Sequence, residues 1–174
     1  LHIGGDLNFK MNKQAKRKRS LSRLMAVQVF FQYDFFNHQK NLSEIITDVV
    51  ENYALNSDED LSSYRQKIDE DFLQNLLVGL EQNYAEIDDE ISPLLKEGKT
   101  LRELDSVVLN IIRFAAFELK FIEETPAKVA IDEYVDLAAS FFDEKKVKFV
   151  NAIVENLAKK FRKDFDSNPP HHPS

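Results

Sequence analysis

"VLNIIRFAAFELKFIEETPAKVAIDEYVDLAASFFDEKKVKFVNAIVENLAKKF" occupies residues 108–161 of a 174-residue chain, and how it is read decides the fold. Three helices fit it. Asp105 is placed to cap the first, whose Val107, Val108, Ile111, Ala115, Leu119 and Ile122 recur at helical spacing. Thr125-Pro126 signals the second start: a Thr cap, then Pro at the first helical position, where its missing N–H costs nothing. That helix runs to about Phe141. Asp143 is placed to cap the third, whose Phe149, Val150, Ile153, Val154, Leu157, Ala158 and Phe161 form a wide apolar stripe.

The same periodicity extends toward the N-terminus. Over residues 16–37, Leu21, Leu24, Met25, Gln28, Phe31 and Phe35 crowd one side of a helix. Asn41 then precedes "LSE" (42–44), which puts Glu44 at the third position of a capping box and starts a helix through Tyr53. "NSDEDLSS" (56–63) reads as an acidic loop, and Ser63 with Gln66 as a second capping box. Beyond it Tyr64, Ile68, Phe72, Leu76, Leu80 and Tyr84 recur at every fourth place, with Ile87 and Ile91 continuing the stripe. This predicts the longest helix, ended by Pro93. The expected fold is all-α: two small helical bundles packed together, about seven helices. The expected organisation is a leader (1–10) outside the fold, an N-terminal lobe with a basic arm (11–97), a C-terminal lobe (98–165) and a disordered Pro/His-rich tail (166–174).

Composition narrows the function classes. Only four Gly and five Pro argue against an all-β sandwich, which needs many tight turns. The chain has no Cys, so disulfides, thiolate metal sites and a thiol nucleophile are excluded. That fits a cytoplasmic protein. No apolar run reaches the ~18 residues of a membrane span. Of four His, only His38 lies in the body, so no Ser-His-Asp set or His-Glu metal motif can be assembled. Adjacent carboxylates such as Asp132-Glu133 point in different directions on a helix and form no shared-proton pair. The expectation is a protein without catalytic residues, cofactor or metal.

Charge carries the first positive signal. The chain as a whole is −7, yet residues 11–40 hold seven Lys/Arg against one acid. Residues 41–100 hold four against fifteen. Lys16, Arg17, Lys18, Arg19 and Arg23 concentrate the basic charge on the first helix or just before it. A solvated helix start is the plain reading of a short charge run. Cations near a helix N-terminus oppose the macrodipole, however, so the cluster is locally unfavourable and points to an external anion. Such a run commonly binds nucleic acid or an acidic membrane, and the core spacing of the aromatic residues behind it argues against membrane. If all five cations met phosphate, log affinity would fall with log salt at about −3.5, taking −0.7 per single-strand contact. Lys128, at the third position of the helix expected to be capped by Thr125, is placed to help free backbone N–H groups hold a phosphate. An exposed lysine pointing to water is the alternative.

Several pieces carry a family resemblance. "IIRFAAFEL" (111–119), "TPAKVAIDEYVDLA" (125–138) and "KFVNAIVENLA" (148–158) resemble the C-terminal half of the NusB transcription antitermination factors, in that family's order and spacing. "SRLMAVQVFFQYDF" (22–35) resembles its first helix and "FLQNLLVGL" (72–80) its middle helix. The resemblance implies a non-catalytic protein that binds boxA-type single-stranded RNA of ribosomal RNA leaders. It implies as partners NusE, a small-subunit ribosomal protein, and the transcribing RNA polymerase complex, with monomer and homodimer both open. It implies support for antitermination and rRNA maturation.

Carried over, the arginine-rich arm falls on Lys16, Arg17, Lys18 and Arg19, with Arg23 as its last basic position. Gln28 and Phe31 fall where the first helix faces RNA. Lys128 matches the lysine of "P-x-K-V", Phe141 an aromatic suited to base stacking, and Lys148 and Asn151 the "KFVN" motif. Phe149, Val108 and Arg113 form the expected partner-binding set. The chain departs from the family where Phe142 replaces a Gly, where Val147 falls in "S-H-K-F-V-N-G", and where Val108 stands at a position many members fill with an acid. Lys replaces some arm Arg, which keeps charge and loses bidentate geometry. Lys145 and Lys146 extend the basic surface. Two alternatives stay open: an RNA-binding domain related to rRNA cytosine methyltransferases, and a helical adaptor that binds protein only.

Overall fold

The protein is described by a computed structural model over residues 3–165, with side-chain environments from residue 13 onward. Among these residues the chain forms eight α-helices and no strand. They are α1 (Ile3–Phe35), α2 (Leu42–Asn56), α3 (Leu61–Arg65), α4 (Glu70–Gln82), α5 (Tyr84–Ile91), α6 (Ser106–Phe121), α7 (Ala127–Phe141) and α8 (Glu144–Phe161). Two single 3₁₀ turns, Ser92–Leu94 and Leu101–Glu103, join α5 to α6. The tail 166–174 and His2 lie outside the described residues.

The chain divides into two compact units, Leu1–Gly79 and Leu80–Ser174. The division falls inside α4, ahead of the connector at 94–100 where the sequence suggests a boundary. The reason is that α5 packs against α6 and α8, so it joins the later unit. Gly98, at φ 84°, marks a left-handed turn in the connector within that unit. The first helix also begins earlier than expected: residues 3–10, set aside as a leader, continue its backbone.

In the first unit α1 is the spine. Met25, Val29 and Phe30 are fully buried on one side of it, and α2 packs against it. α1 ends where Asn37 and His38 take left-handed backbone angles, φ 51° and 61°. The His38 N–H then bonds back to the Tyr33 carbonyl at 3.0 Å, and its ring stacks on Tyr33 at 4.2 Å. Asn41 caps α2 as expected, its side chain accepting from the Ser43 N–H at 3.0 Å.

The predicted long helix over 64–91 is three helices. Asp60, inside the presumed loop, caps α3 by accepting from the Ser63 N–H at 2.8 Å, which displaces the expected Ser63–Gln66 box. α4 starts at Asp69, whose carboxylate accepts from the Phe72 N–H at 3.0 Å. That turn is held from a distance. The fully buried Ser22 hydroxyl accepts from the Asp69 N–H at 3.0 Å and lies 2.7 Å from the Lys18 carbonyl. Asn83 then breaks α4 from α5.

In the second unit every residue of α6 from Val108 to Leu119 is buried, because α5, α7 and α8 all pack around it. Asp105 caps α6, accepting from the Val107 and Val108 N–H groups at 2.9 and 3.3 Å. Asp143 caps α8 through the Lys146 N–H at 3.1 Å. Both agree with the sequence. The Thr125 cap does not form. Its hydroxyl is buried without a hydrogen-bond partner, and Asp164 reaches back from beyond α8 to accept from the Ala127 N–H at 3.0 Å. Arg162, 8% exposed, lies against the other side of this junction. It donates to the Leu119 and Ile122 carbonyls at 2.6 Å each and to Glu118 at 3.4 Å, satisfying the orphan acceptors at the end of α6.

Candidate nucleic-acid interface

The arm does not act as one group. Lys16, Arg17 and Lys18 are exposed on α1 and have no carboxylate partner among the described residues. Arg19 is half-buried: its guanidinium lies over the Phe72 ring at 4.8 Å, with the Asp69 carboxylate 3.7 Å away. Arg23 is 3% exposed and lies over the same ring at 5.0 Å. Its inclusion among RNA-gripping residues is corrected accordingly, since a guanidinium buried against an aromatic ring offers no open face to a phosphate. Sequence spacing placed both arginines in one cationic run; Phe72, roughly fifty residues later, separates them from it.

Further along α1, Phe31 is 41% exposed and Phe35 is 73% exposed, on a common face one turn apart. Gln28 lies on that face, half-buried, and accepts a hydrogen bond from the Tyr53 hydroxyl. Burial pushes the Tyr53 phenol above its ordinary pKa, with the Gln28 bond working against the shift. Gln28 is therefore held in place rather than free to rotate. The helix presents exposed cations near its middle, at residues 16–18, and bare aromatic rings toward its end, a combination suited to phosphates and unstacked bases.

In the second unit Lys128 is exposed at the second position of α7, not the third, because Thr125 is not the cap. The first free N–H of α7 is already taken by Asp164, so the lysine works as a point charge without that donor. Phe141, 43% exposed, ends α7. Lys148 is exposed and pairs with Glu144 at 3.1 Å. The Asn151 amide lies 3.4 Å from Glu155, one turn on. Lys145 is exposed without a partner among the described residues, whereas Lys146 lies over the Phe142 ring at 4.8 Å and 4.0 Å from Asp105.

The expected partner-binding set separates. Phe149 is half-buried and retains some open surface. Val108 is 3% and Arg113 5% exposed, which corrects both as contact residues. Arg113 instead makes a bidentate pair with Asp88, 2.8 and 2.9 Å, donates to Asn110 at 3.1 Å and lies over the Tyr84 ring at 4.3 Å. It ties α5 to α6 inside the unit. Sequence reasoning missed Ser22, Phe72, Asp164 and Arg162, all of which position these elements through distant contacts. The Asp and Arg just past α8 were the available signal for the last two. Among the described residues no helix is long and apolar enough to cross a membrane.

An all-α chain with unpaired cations and bare aromatic rings on its exposed helices has the makings of a nucleic-acid-binding protein. The NusB family profile matches residues 20–159. The transcription antitermination protein NusB of Brucella melitensis biotype 1 is 31% identical over 162 residues, covering 93% of this chain and 92% of that protein. The protein of that name from Nitrobacter hamburgensis is 27% identical over 157 residues, covering 90% and 95%. Among solved structures, T. maritima NusB superposes with a TM-score of 0.64 at 31% identity, covering 82% of this chain and 91% of that one. A chain from the crystal structure of a plectonemic RNA supercoil reaches 0.68 at 26% identity, covering 83% and 96%. The chain belongs to the NusB family.

Proposed function

We propose that this protein is an RNA-binding transcription antitermination factor that holds boxA-type single-stranded RNA from ribosomal RNA leaders together with NusE, without catalysing a reaction. It acts in the cytoplasm on the transcribing RNA polymerase complex and supports rRNA maturation. The observation that carries the reading is the set of unpaired cations, Lys16, Arg17 and Lys18, exposed on α1 of an otherwise acidic family member. Phosphate contacts from these residues position the strand and carry no sequence information. Sequence preference comes from bases stacked on Phe31 and Phe141, with Gln28, Lys128, Lys148 and Asn151 supplying polar contacts. Phe149 is the remaining candidate for the NusE face. A homodimer that covers the α1 face would compete with RNA.

The test is a gel-shift with boxA-type and scrambled RNA, with and without the organism's own NusE, across a salt series. Binding of boxA-type RNA that tightens with NusE is expected. Binding of NusE with no RNA affinity at any salt would favour the protein-only adaptor.

A further inference from the structure

Beside the arm, the first unit contains an open groove of about 1680 Å³, walled by α1 on one side and by α3 and the turn after it on the other. Arg17 and Lys18 line one wall, and Arg65 and Lys67 the other. Glu70 and Asp71 line it where α4 begins. The volume exceeds the roughly 1000 Å³ that encloses a small ligand, so the groove suits a length of polymer. Lys67 is engaged with Glu59 at 2.5 Å. Arg65 is exposed in the last turn of α3, with no partner among the described residues. Three cations free of carboxylates, Arg17, Lys18 and Arg65, thus border one groove from two different elements. No sequence pattern links the third to the other two, since forty-seven residues separate Lys18 from Arg65.

We infer that Arg65 is a phosphate-contacting residue, and that this groove carries a segment of single-stranded RNA between α1 and α3. The inference rests on the RNA-binding reading above and extends its surface to a second wall. The mixed charge of the groove selects the occupant. Both RNA and an acidic peptide are polyanions, but the side chains of an acidic peptide offer Glu70 and Asp71 only acceptors, where nucleobases also carry amino donors. An RNA strand places phosphates against the three cations, while carboxylates accept from base amino groups. The Asp69 carboxylate is not available for that role, because it caps α4 and faces Arg19.

The experiment measures binding of a fluorescent boxA-type single strand of about 12 nucleotides across a salt series, a length within the range of one binding groove. Arg65→Ala is expected to weaken binding roughly fivefold and to reduce the magnitude of the log–log salt slope by about 0.7, the share of one single-strand phosphate. Arg65→Lys should keep the slope, which a packing role for the guanidinium would not predict. Arg102→Ala, an exposed arginine elsewhere in the chain, should change neither quantity. An unchanged slope in Arg65→Ala, alongside a reduced one in Arg17→Ala, overturns the groove and leaves the arm in place. Competition by poly-glutamate as effective as unlabelled RNA would also overturn it, by revealing a groove for acidic chains. Failure of the unaltered protein to bind RNA at any salt would instead remove the underlying reading.

Discussion

Replacing Lys16, Arg17 and Lys18 together with Gln removes three exposed cations without disturbing a described packing contact. Gln is nearly as good a helix former as Lys or Arg, and residues 16–18 lie more than three turns inside α1, beyond the reach of the charge at either helix end. The folded state should therefore hold its stability to within about 0.5 kcal/mol. RNA affinity responds differently. Each single-strand phosphate contact contributes about −0.7 to the slope of log affinity against log salt, so three contacts contribute about −2.1. A change from about 50 to 200 mM salt then accounts for about an eighteenfold loss of affinity in the parent that the triple variant lacks. Arg23→Ala is the structural counterpart. Its guanidinium is buried over Phe72, so truncation should cost about 2–3 kcal/mol of stability and leave the slope unchanged. Fluorescence anisotropy with labelled RNA measures the slopes, and thermal or urea unfolding measures the stabilities. An unchanged slope in the triple variant, or a fall in Arg23→Ala as large as that of a single arm substitution, would refute this division of the arm.

Three further outcomes are expected. Arg162→Ala should destabilise the second unit by about 3 kcal/mol in urea unfolding, because it leaves the Leu119 and Ile122 carbonyls buried without their donor. Acidification should weaken the same unit. Hydrogen bonds from Lys160, with help from Lys120, hold the Glu90 carboxyl below its ordinary pKa, and the Ala127 N–H does the same for Asp164. A carboxylate depressed in the folded state contributes stability above its unfolded pKa and loses it as pH falls through the folded value. Melting temperature should therefore drop as pH falls below about 4, and drop less steeply in Glu90→Gln and Asp164→Asn. Lys145→Glu, at an exposed and unpaired position, should weaken RNA binding at low salt in the anisotropy assay and leave the melting temperature within a degree or so.

The helices that the sequence predicted well are those whose starts are written locally. Asn41, Asp105 and Asp143 each cap a helix through N–H groups two or three residues on, and such contacts are visible in a short window. The run over 64–91 shows the limit of periodicity. Its apolar residues keep a four-residue spacing, yet the chain turns at Asp69 because Ser22, far upstream, binds that residue's backbone. Thr125 had the composition of a cap and lost the place to Asp164, which arrives from the other end of the unit. The exposure of the candidate residues was legible to the same degree. Lys16, Arg17, Lys18, Phe31 and Phe141 are exposed on the helices where the sequence put them, whereas Lys128 is exposed one place nearer the start of its helix than expected. Charge counting gave Arg23 and Arg113 the same standing as their neighbours, because burial depends on Phe72 and Asp88, and neither is near in sequence.

Photo-cross-linking of bromouridine-substituted boxA-type RNA to the full chain, followed by peptide mapping, tests most directly whether RNA lies on the exposed face of α1. Cross-links on the peptide containing Phe31 are the predicted result. Cross-links confined to peptides outside α1 would contradict it.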